Sequence, residues 1–289
     1  GHGEGENPIP DRRYAAGLPR ARDPRQRWIR CEAGADGIVR KGDLCQRRPC
    51  WPVKAFCAPT VRGVFFWRES LVANSQQLQP SDRYWMRRAL RLAARGLGRT
   101  SPNPAVGAVL VDARGRLIAE AYHQRAGEPH AEALVLQQAG ERARGATLYV
   151  TLEPCAHYGK TPPCARLIVA RGVRRVVAAM RDPNPAVAGR GYRILIEAGL
   201  DVVTECLAAE AAELNRGFLF RHCLGRPQVT LKAAMTLDGK LATHSRHSQW
   251  ITGAAARRAA HQLRNVCDAV LVGVGTVLAD NPRLTCRLA

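Results

Sequence analysis

The residue types best suited to chemistry in this chain fall in two short stretches. One is "PHAEAL", with His130 and Glu132; the other is "LEPCAHYGKTPPC", with Cys155 and Cys164. Cys155 follows His130 by 25 positions, and eight residues lie between the two cysteines. Zinc takes thiolate at about 2.3 Å and imidazole at about 2.0 to 2.1 Å, and a catalytic site uses three protein ligands with the fourth place left to water. His130, Cys155 and Cys164 supply three such ligands. Glu132 is then free to carry a proton between an acidified water and a leaving amine. A structural site closed by His157 as fourth ligand is the competing metal reading. Because three ligands and a glutamate already make a complete set, His157 reads as a pocket wall. Ten cysteines scattered over 289 residues do not make a disulfide scaffold. Cys31, Cys45, Cys50 and Cys57 match no paired C-x-x-C knuckle and read as unligated thiols.

These residues need elements to hold them. "YWMRRALRLAARGLG" places Met86, Leu90 and Ala93 on one face with arginines opposite, which predicts an amphipathic helix ended by glycine. "VGAVLV" (106–111) and "RLIAEAYH" (116–123) predict a hairpin turning at residues 113–115, followed by a helix over about 130–140. The strand "TLYVTLEP", a helix from about Cys164, the strand "RRVVAAM", a helix over about 189–198 and the strand "DVVTEC" follow. This alternation predicts a largely parallel sheet with helices on both faces. Cys155 then follows a strand end and Cys164 opens a helix, where unpaired backbone N–H groups favour a thiolate. A long helical stretch ends at Gly225. Beyond "GRP", the stretches "QVTLKAAMTLDGKLA" and "DAVLVGVGTVLAD" predict strands flanking a helix over about 252–267, a second unit that reads as cut short.

Residues 1 to about 80 are broken by eight prolines, carry no sustained periodicity and are expected to be disordered or irregular. No apolar run approaches a membrane span, and the acidic residues of this segment argue against a transit peptide. A cytoplasmic protein is expected. The net charge of +20 suits an anionic partner, but it is spread along the chain, so its plainer reading is a solvated arginine-rich surface.

The order H-x-E, P-C and a further Cys is similar to the zinc nucleoside and nucleobase deaminases, with C-x8-C in place of their usual C-x-x-C. "TSPNPAVGAVLVD", "AYHQRAGEPHAEAL", "YVTLEPCAHYGKTPPC" and "VVAAMRDPNPAVAGRG" resemble the deaminase domain of the bifunctional riboflavin-biosynthesis deaminase-reductase family. "VTLKAAMTLDGKLAT", "SQWIT" and "AVLVGVGTVLADNPRLTCR" resemble the start of that family's reductase domain. The resemblance implies an α/β chain: a three-layer cytidine-deaminase-like domain with a mixed, largely parallel sheet over 82–225, then the start of a dihydrofolate-reductase-like domain over 226–289. It implies zinc on His130, Cys155 and Cys164, Glu132 as the proton shuttle, and a phosphorylated pyrimidine held by Asn103, His123, His157, Lys160, Asp182 and Asn184. In the reductase part it implies NADPH against Ala234, Trp250, Thr276 and Asp280, and substrate against Lys232, Ser248, Arg264, Leu284 and Arg287.

Without the family, Asn103 and Asp182 are proline-flanked turn residues, Arg264 a helix-surface arginine and Trp250 a core aromatic. The family's reductase domain continues past Ala289, so reduction is not expected of residues 226–289 alone. The first eighty residues have no family counterpart. Deamination of cytidine or of adenosine in tRNA is the alternative, and an inactive RNA-binding fragment the other. The C-x8-C spacing and the attached reductase segment count against the first of these. A membrane partner is not expected, nucleic acid is disfavoured, and a homo-oligomer is left open.

Overall fold

A computed structural model of the chain describes residues 78–156, 163–185 and 187–288. The expectations for the amino-terminal extension, including its four cysteines, and those for His157 and Lys160 fall outside the described residues. Helix α1 (Pro80–Ala94) leads into β1 (Gly107–Val111) and β2 (Leu117–Tyr122), then α2 (Ala131–Ala139) and β3 (Thr147–Val150). Helix α3 (Cys164–Ala170), β4 (Arg175–Ala178), α4 (Arg190–Glu197) and β5 (Asp201–Val203) follow, and α5 (Ala208–Leu214) and α6 (Arg216–Leu224) end the first unit.

The five strands form one sheet in the order β2-β1-β3-β4-β5. β1 runs antiparallel to both β2 and β3, whereas β3, β4 and β5 are parallel, so the sheet is mixed. β1 is buried along its whole length, as its continuous apolar run requires of a strand covered on both faces. The hairpin turn is held by Asp112, whose Oδ1 accepts the amides of Arg114 at 2.9 Å and Arg116 at 2.8 Å.

Helix α1 packs on β1, β2 and β3 and meets α5, while α2, α3 and α4 pack against one another in series, with α2 on β1 and β2 and α4 on β5. α1 comes so close that a Cβ on Gly107 would lie 2.1 Å from the Ala89 carbonyl oxygen. Only glycine on the strand, facing Ala89 and Ala93 on the helix, permits this approach. Met86, Leu110, Leu136, Leu148, Ile168 and Leu195 are fully buried in the shared core. Each such side chain contributes about 1.5–3 kcal/mol by leaving water.

One charged pair penetrates this core from the amino-terminal end of the parallel strands. Asp82, in the first turn of α1, is completely buried and Arg175, the first residue of β4, is 5% exposed. Arg175 Nη1 and Nη2 donate to the two Asp82 oxygens at 2.9 and 3.0 Å, and its Nε donates to Asp201 Oδ2 at 2.9 Å. Tyr149 Oη donates to Asp82 Oδ1 at 2.8 Å, and Asp82 Oδ2 accepts the Gln79 amide at 2.7 Å, which starts the helix. One bidentate pair thereby joins α1, β3, β4 and β5.

The carboxy-terminal unit departs from expectation. Residues 226–253 and 267–273 contain no strand; α7 (Ala254–Val266) forms as predicted, but α8 (Val274–Asp280) is helical where the sequence reads as a strand. A strand needs a neighbour to take its backbone hydrogen bonds. None is present here among the described residues, so the chain at 274–280 satisfies itself locally, for example by Val277 N–H to the Gly273 carbonyl at 3.3 Å. Val229, Leu231, Leu237 and Leu271 are exposed. No helix among the described residues is long and apolar enough to cross a membrane.

Removing one member of a buried pair leaves an uncompensated charge, which costs about 3–5 kcal/mol. Arg175→Leu should therefore lower stability by about that amount in urea denaturation. Arg216→Ala, which breaks the exposed pair with Glu213, should change it by less than about 1 kcal/mol.

Candidate active site

The carboxyl ends of β3 and β4 and the amino ends of α2 and α3 converge on one point, the place where open parallel sheets bind ligands. His130 is the N-cap residue of α2, and Cys164 is the first residue of α3. Cys155 lies on the loop that leaves β3. The ligand atoms of these three residues all lie within 4.8 Å of one another. His130 Nδ1 is 3.7 Å from Cys155 Sγ and 3.4 Å from Cys164 Sγ. Tetrahedral zinc with ordinary bond lengths would place sulfur and nitrogen about 3.6 Å apart, so both sulfur–nitrogen separations suit such an ion.

The electrostatics also favour a cation. The Cys164 amide donates to Cys155 Sγ at 3.3 Å, and the Ala165 amide donates to the Cys155 carbonyl at 3.2 Å. The free N–H groups at the start of α3 thus serve the other cysteine. The Cys155 thiol is pulled well down, first by its hydrogen bond with Cys164 and also by His130, against the effect of burial. Cys164 is pushed up by the same bond with Cys155 and by burial. His130 is raised to about 9, chiefly by its bond with Cys155. Two thiols that share a hydrogen bond do not both ionise unaided, whereas a cation between them would stabilise both thiolates.

Glu132 sits in the first turn of α2, 3% exposed, beside the three ligands but outside their set. Burial pushes its carboxyl up to about 7, with the charge on His130 pulling in the opposite direction. His123 and Asn103 form the neighbouring wall. His123 Nδ1 faces the Pro129 carbonyl at 3.1 Å, so it carries the proton, and Nε2 accepts from Asn103 Nδ2 at 3.2 Å. Burial holds His123 below the usual imidazole range, consistent with that neutral tautomer. Its ring meets the His130 ring edge-on at 5.4 Å. The loop bearing Asn103 is tied down by Asn215, which accepts the Ala105 amide at 2.8 Å and donates to the Ala105 carbonyl at 3.1 Å.

Asp182 and Asn184 lie on the loop after β4, and the Asn184 amide donates to Asp182 Oδ1 at 2.8 Å. That loop is held by Glu153, a residue the motif reading passed over. Its buried carboxylate accepts four backbone amides, from Asp182, Gly189, Gly191 and Tyr192. A glutamate inside the apolar run "TLYVTLEP" was the available signal. Asn215, in the middle of a plain helical stretch, offers no such signal.

In the carboxy-terminal unit, Lys232, Ala234, Ser248, Trp250, Arg264, Asp280 and Arg287 line one open cleft. Thr276 and Leu284 do not line it; Leu284 is buried and Thr276 lies on exposed α8. Arg257, which the motif reading passed over, stacks on the Trp250 ring at 4.4 Å.

Comparison with known proteins agrees with both parts. Residues 79–180 match the cytidine and deoxycytidylate deaminase zinc-binding region, and residues 227–289 match the RibD C-terminal domain. The chain is 54% identical over 206 residues to riboflavin biosynthesis protein RibD of Escherichia coli, covering 71% of this chain and 56% of that protein. It is 54% identical to the Bacillus amyloliquefaciens RibD over 207 residues, covering 72% and 56%. The structure of Acinetobacter baumannii RibD superposes with a TM-score of 0.69 at 51% identity, covering 72% of this chain and 58% of that one. A diaminohydroxyphosphoribosylaminopyrimidine deaminase/5-amino-6-(5-phosphoribosylamino)uracil reductase from Thermotoga maritima does so with a TM-score of 0.69 at 49% identity, covering 72% and 59%. The chain therefore spans a little over half the length of the relatives it matches. With residues 79–180 matching a deaminase zinc-binding region, residues 227–289 matching the RibD C-terminal domain and about half of its aligned residues shared with RibD proteins, this chain is similar to RibD along most of its length.

Proposed function

We propose that this chain deaminates 2,5-diamino-6-(5-phosphoribosylamino)pyrimidin-4(3H)-one, with water as co-substrate and 5-amino-6-(5-phosphoribosylamino)uracil and ammonia as products. The observation that carries this reading is the convergence of His130, Cys155 and Cys164 within 4.8 Å, with Glu132 buried beside them and outside the ligand set. His130, Cys155 and Cys164 would hold zinc, which when bound supplies Lewis-acid activation of water. The Glu132 carboxyl takes the proton that water gives up and returns it to the departing amino group. Burial keeps competing water away from that carboxyl.

Asn103 presents its Oδ1 to the N–H groups of the pyrimidine, because its amide nitrogen is committed to His123 Nε2. His123 is fixed in turn by the Pro129 carbonyl and acts as a neutral brace. Asp182 and Asn184 hold the amino and ribosyl groups from the opposite loop, and we assign His157 and Lys160 to the same substrate, Lys160 to its phosphate. Residues 82–225 form the deaminase domain in this reading and 226–289 the beginning of the reductase domain. There Arg264 and Arg287 bind the phosphorylated substrate together with Lys232, Ser248 and Leu284, and Ala234, Trp250, Thr276 and Asp280 face NADPH. A soluble, phosphorylated small-molecule substrate accords with the cytoplasmic location that this reading assigns to the chain.

Ammonia release from the diaminopyrimidine ribosyl phosphate tests the reading, measured without NADPH and again with a zinc chelator. Chelator-sensitive release independent of NADPH is expected; release from cytidine or tRNA instead would overturn it. Glu132→Gln should retain stoichiometric zinc in elemental analysis and lose at least about 100-fold in turnover, the scale of a lost proton shuttle. Cys164→Ser should lose zinc and turnover together, because a serine hydroxyl does not replace a thiolate in the three-ligand set.

A further inference from the structure

We propose that Glu153 is a positioning residue that sets the Asp182–Asn184 loop against the turn bearing Cys155. It rests on the deaminase reading only in assigning that loop to the substrate.

Glu153 is 3% exposed, and its oxygens are divided between two pairs of backbone donors. Oε2 accepts the amides of Asp182 at 3.2 Å and Gly189 at 2.9 Å. Oε1 accepts the amides of Gly191 at 2.9 Å and Tyr192 at 3.4 Å. These donors bracket the segment from the loop after β4 to the first turn of α4. The Glu153 amide in turn donates to the Met180 carbonyl at 2.9 Å, and Tyr192 Oη donates to the same carbonyl at 3.0 Å. Both ends of the segment are therefore tied to one residue that stands two positions before Cys155.

Close packing reinforces this arrangement. A Cβ on Gly191 would lie 2.0 Å from the Pro154 carbonyl oxygen, so the start of α4 rests directly on the Pro154–Cys155 backbone. Asn184 N–H donates to Asp182 Oδ1, so the heading of the Asp182 carboxylate follows from where its own amide is pinned. Four inward-pointing N–H groups need an acceptor-only side chain. A buried carboxylate is costly unless its lone pairs are filled, and here they are. Glutamine would turn a donor NH2 toward one pair of amides and leave them unsatisfied.

The test uses the full zinc-loaded chain with Glu153→Gln, the near-isosteric change, and Gly191→Ala, which leaves Glu153 intact and pushes α4 off Pro154. In Glu153→Gln, KM for the diaminopyrimidine ribosyl phosphate should rise about tenfold or more, the scale of a lost charge-assisted hydrogen bond. kcat should stay within about threefold and zinc content should not change. Amide hydrogen exchange should accelerate across residues 182–192 and stay unchanged in β1 and β2. Gly191→Ala should reproduce the KM-selective loss. Loss of zinc, a fall in kcat at constant KM, or unaltered exchange at 182–192 would overturn the proposal and leave Glu153 a support of the metal turn or of the core. No ammonia release by the unmodified chain would overturn the deaminase reading instead, and the exchange measurement would still decide whether Glu153 holds the loop.

Discussion

The parallel pairing of β3 with β4 is the constraint on which the rest of the molecule depends. Thr147 pairs with Arg175 and Val150 with Ala178, and the ladder continues beyond the strands through Ala179 N–H to the Val150 carbonyl and Glu153 N–H to the Met180 carbonyl. Because side chains alternate, a slip of one residue would turn Glu153 away from the loop it holds and move Tyr149 and Arg175 off Asp82. The same register therefore places the loop of Cys155 beside the loop of Asp182 at one end and aligns a buried ion pair at the other.

The two ends of this strand pair solve the problem of buried charge differently. At the amino end, Asp82 and Arg175 neutralise each other through two parallel hydrogen bonds, with Tyr149, Asp201 and the Gln79 amide taking the remaining capacity. Such an arrangement is inert, because its buried donors and acceptors have partners within the fold. At the carboxyl end, the two sulfurs and the imidazole bring their ligand atoms within 4.8 Å of one another beside the buried Glu132 carboxyl. That convergence of donors is the physical form of a metal site. Two helix amino termini add partial positive charge, which favours thiolates but does not replace an ion.

The carboxy-terminal unit shows how far local sequence can mislead when no neighbouring strand lies among the described residues. "DAVLVGVGTVLAD" has the apolar, branched composition of a strand, and a strand is what periodicity predicts. Strand formation is a pairwise property, and with no neighbour among the described residues the same backbone forms α8 or stays irregular. The cleft residues nevertheless come together around Trp250, Arg264 and Arg287, because α7 forms from its own sequence and carries Arg264 and Arg257, the latter stacked on Trp250.

By itself the sequence determined the chemistry and the order of the elements. The spacing of His130, Glu132, Cys155 and Cys164 named a metal and a proton carrier, and the alternation of apolar runs located every strand of the first sheet, because ligand type and periodicity are local properties. It predicted the antiparallel hairpin of β1 and β2 but not that β1 also runs antiparallel to β3, since both are equally apolar and direction is settled only by how the connections cross the sheet. Nor did it reveal the work of Asp82, Asn215 or Glu153. Each acts on backbone or side-chain groups far along the chain, Asn215 on Ala105 and Glu153 on residues 182–192, and one-dimensional spacing carries no information about such pairs. Tertiary structure decided them, because a buried polar group is tolerated only where folding brings it its partners.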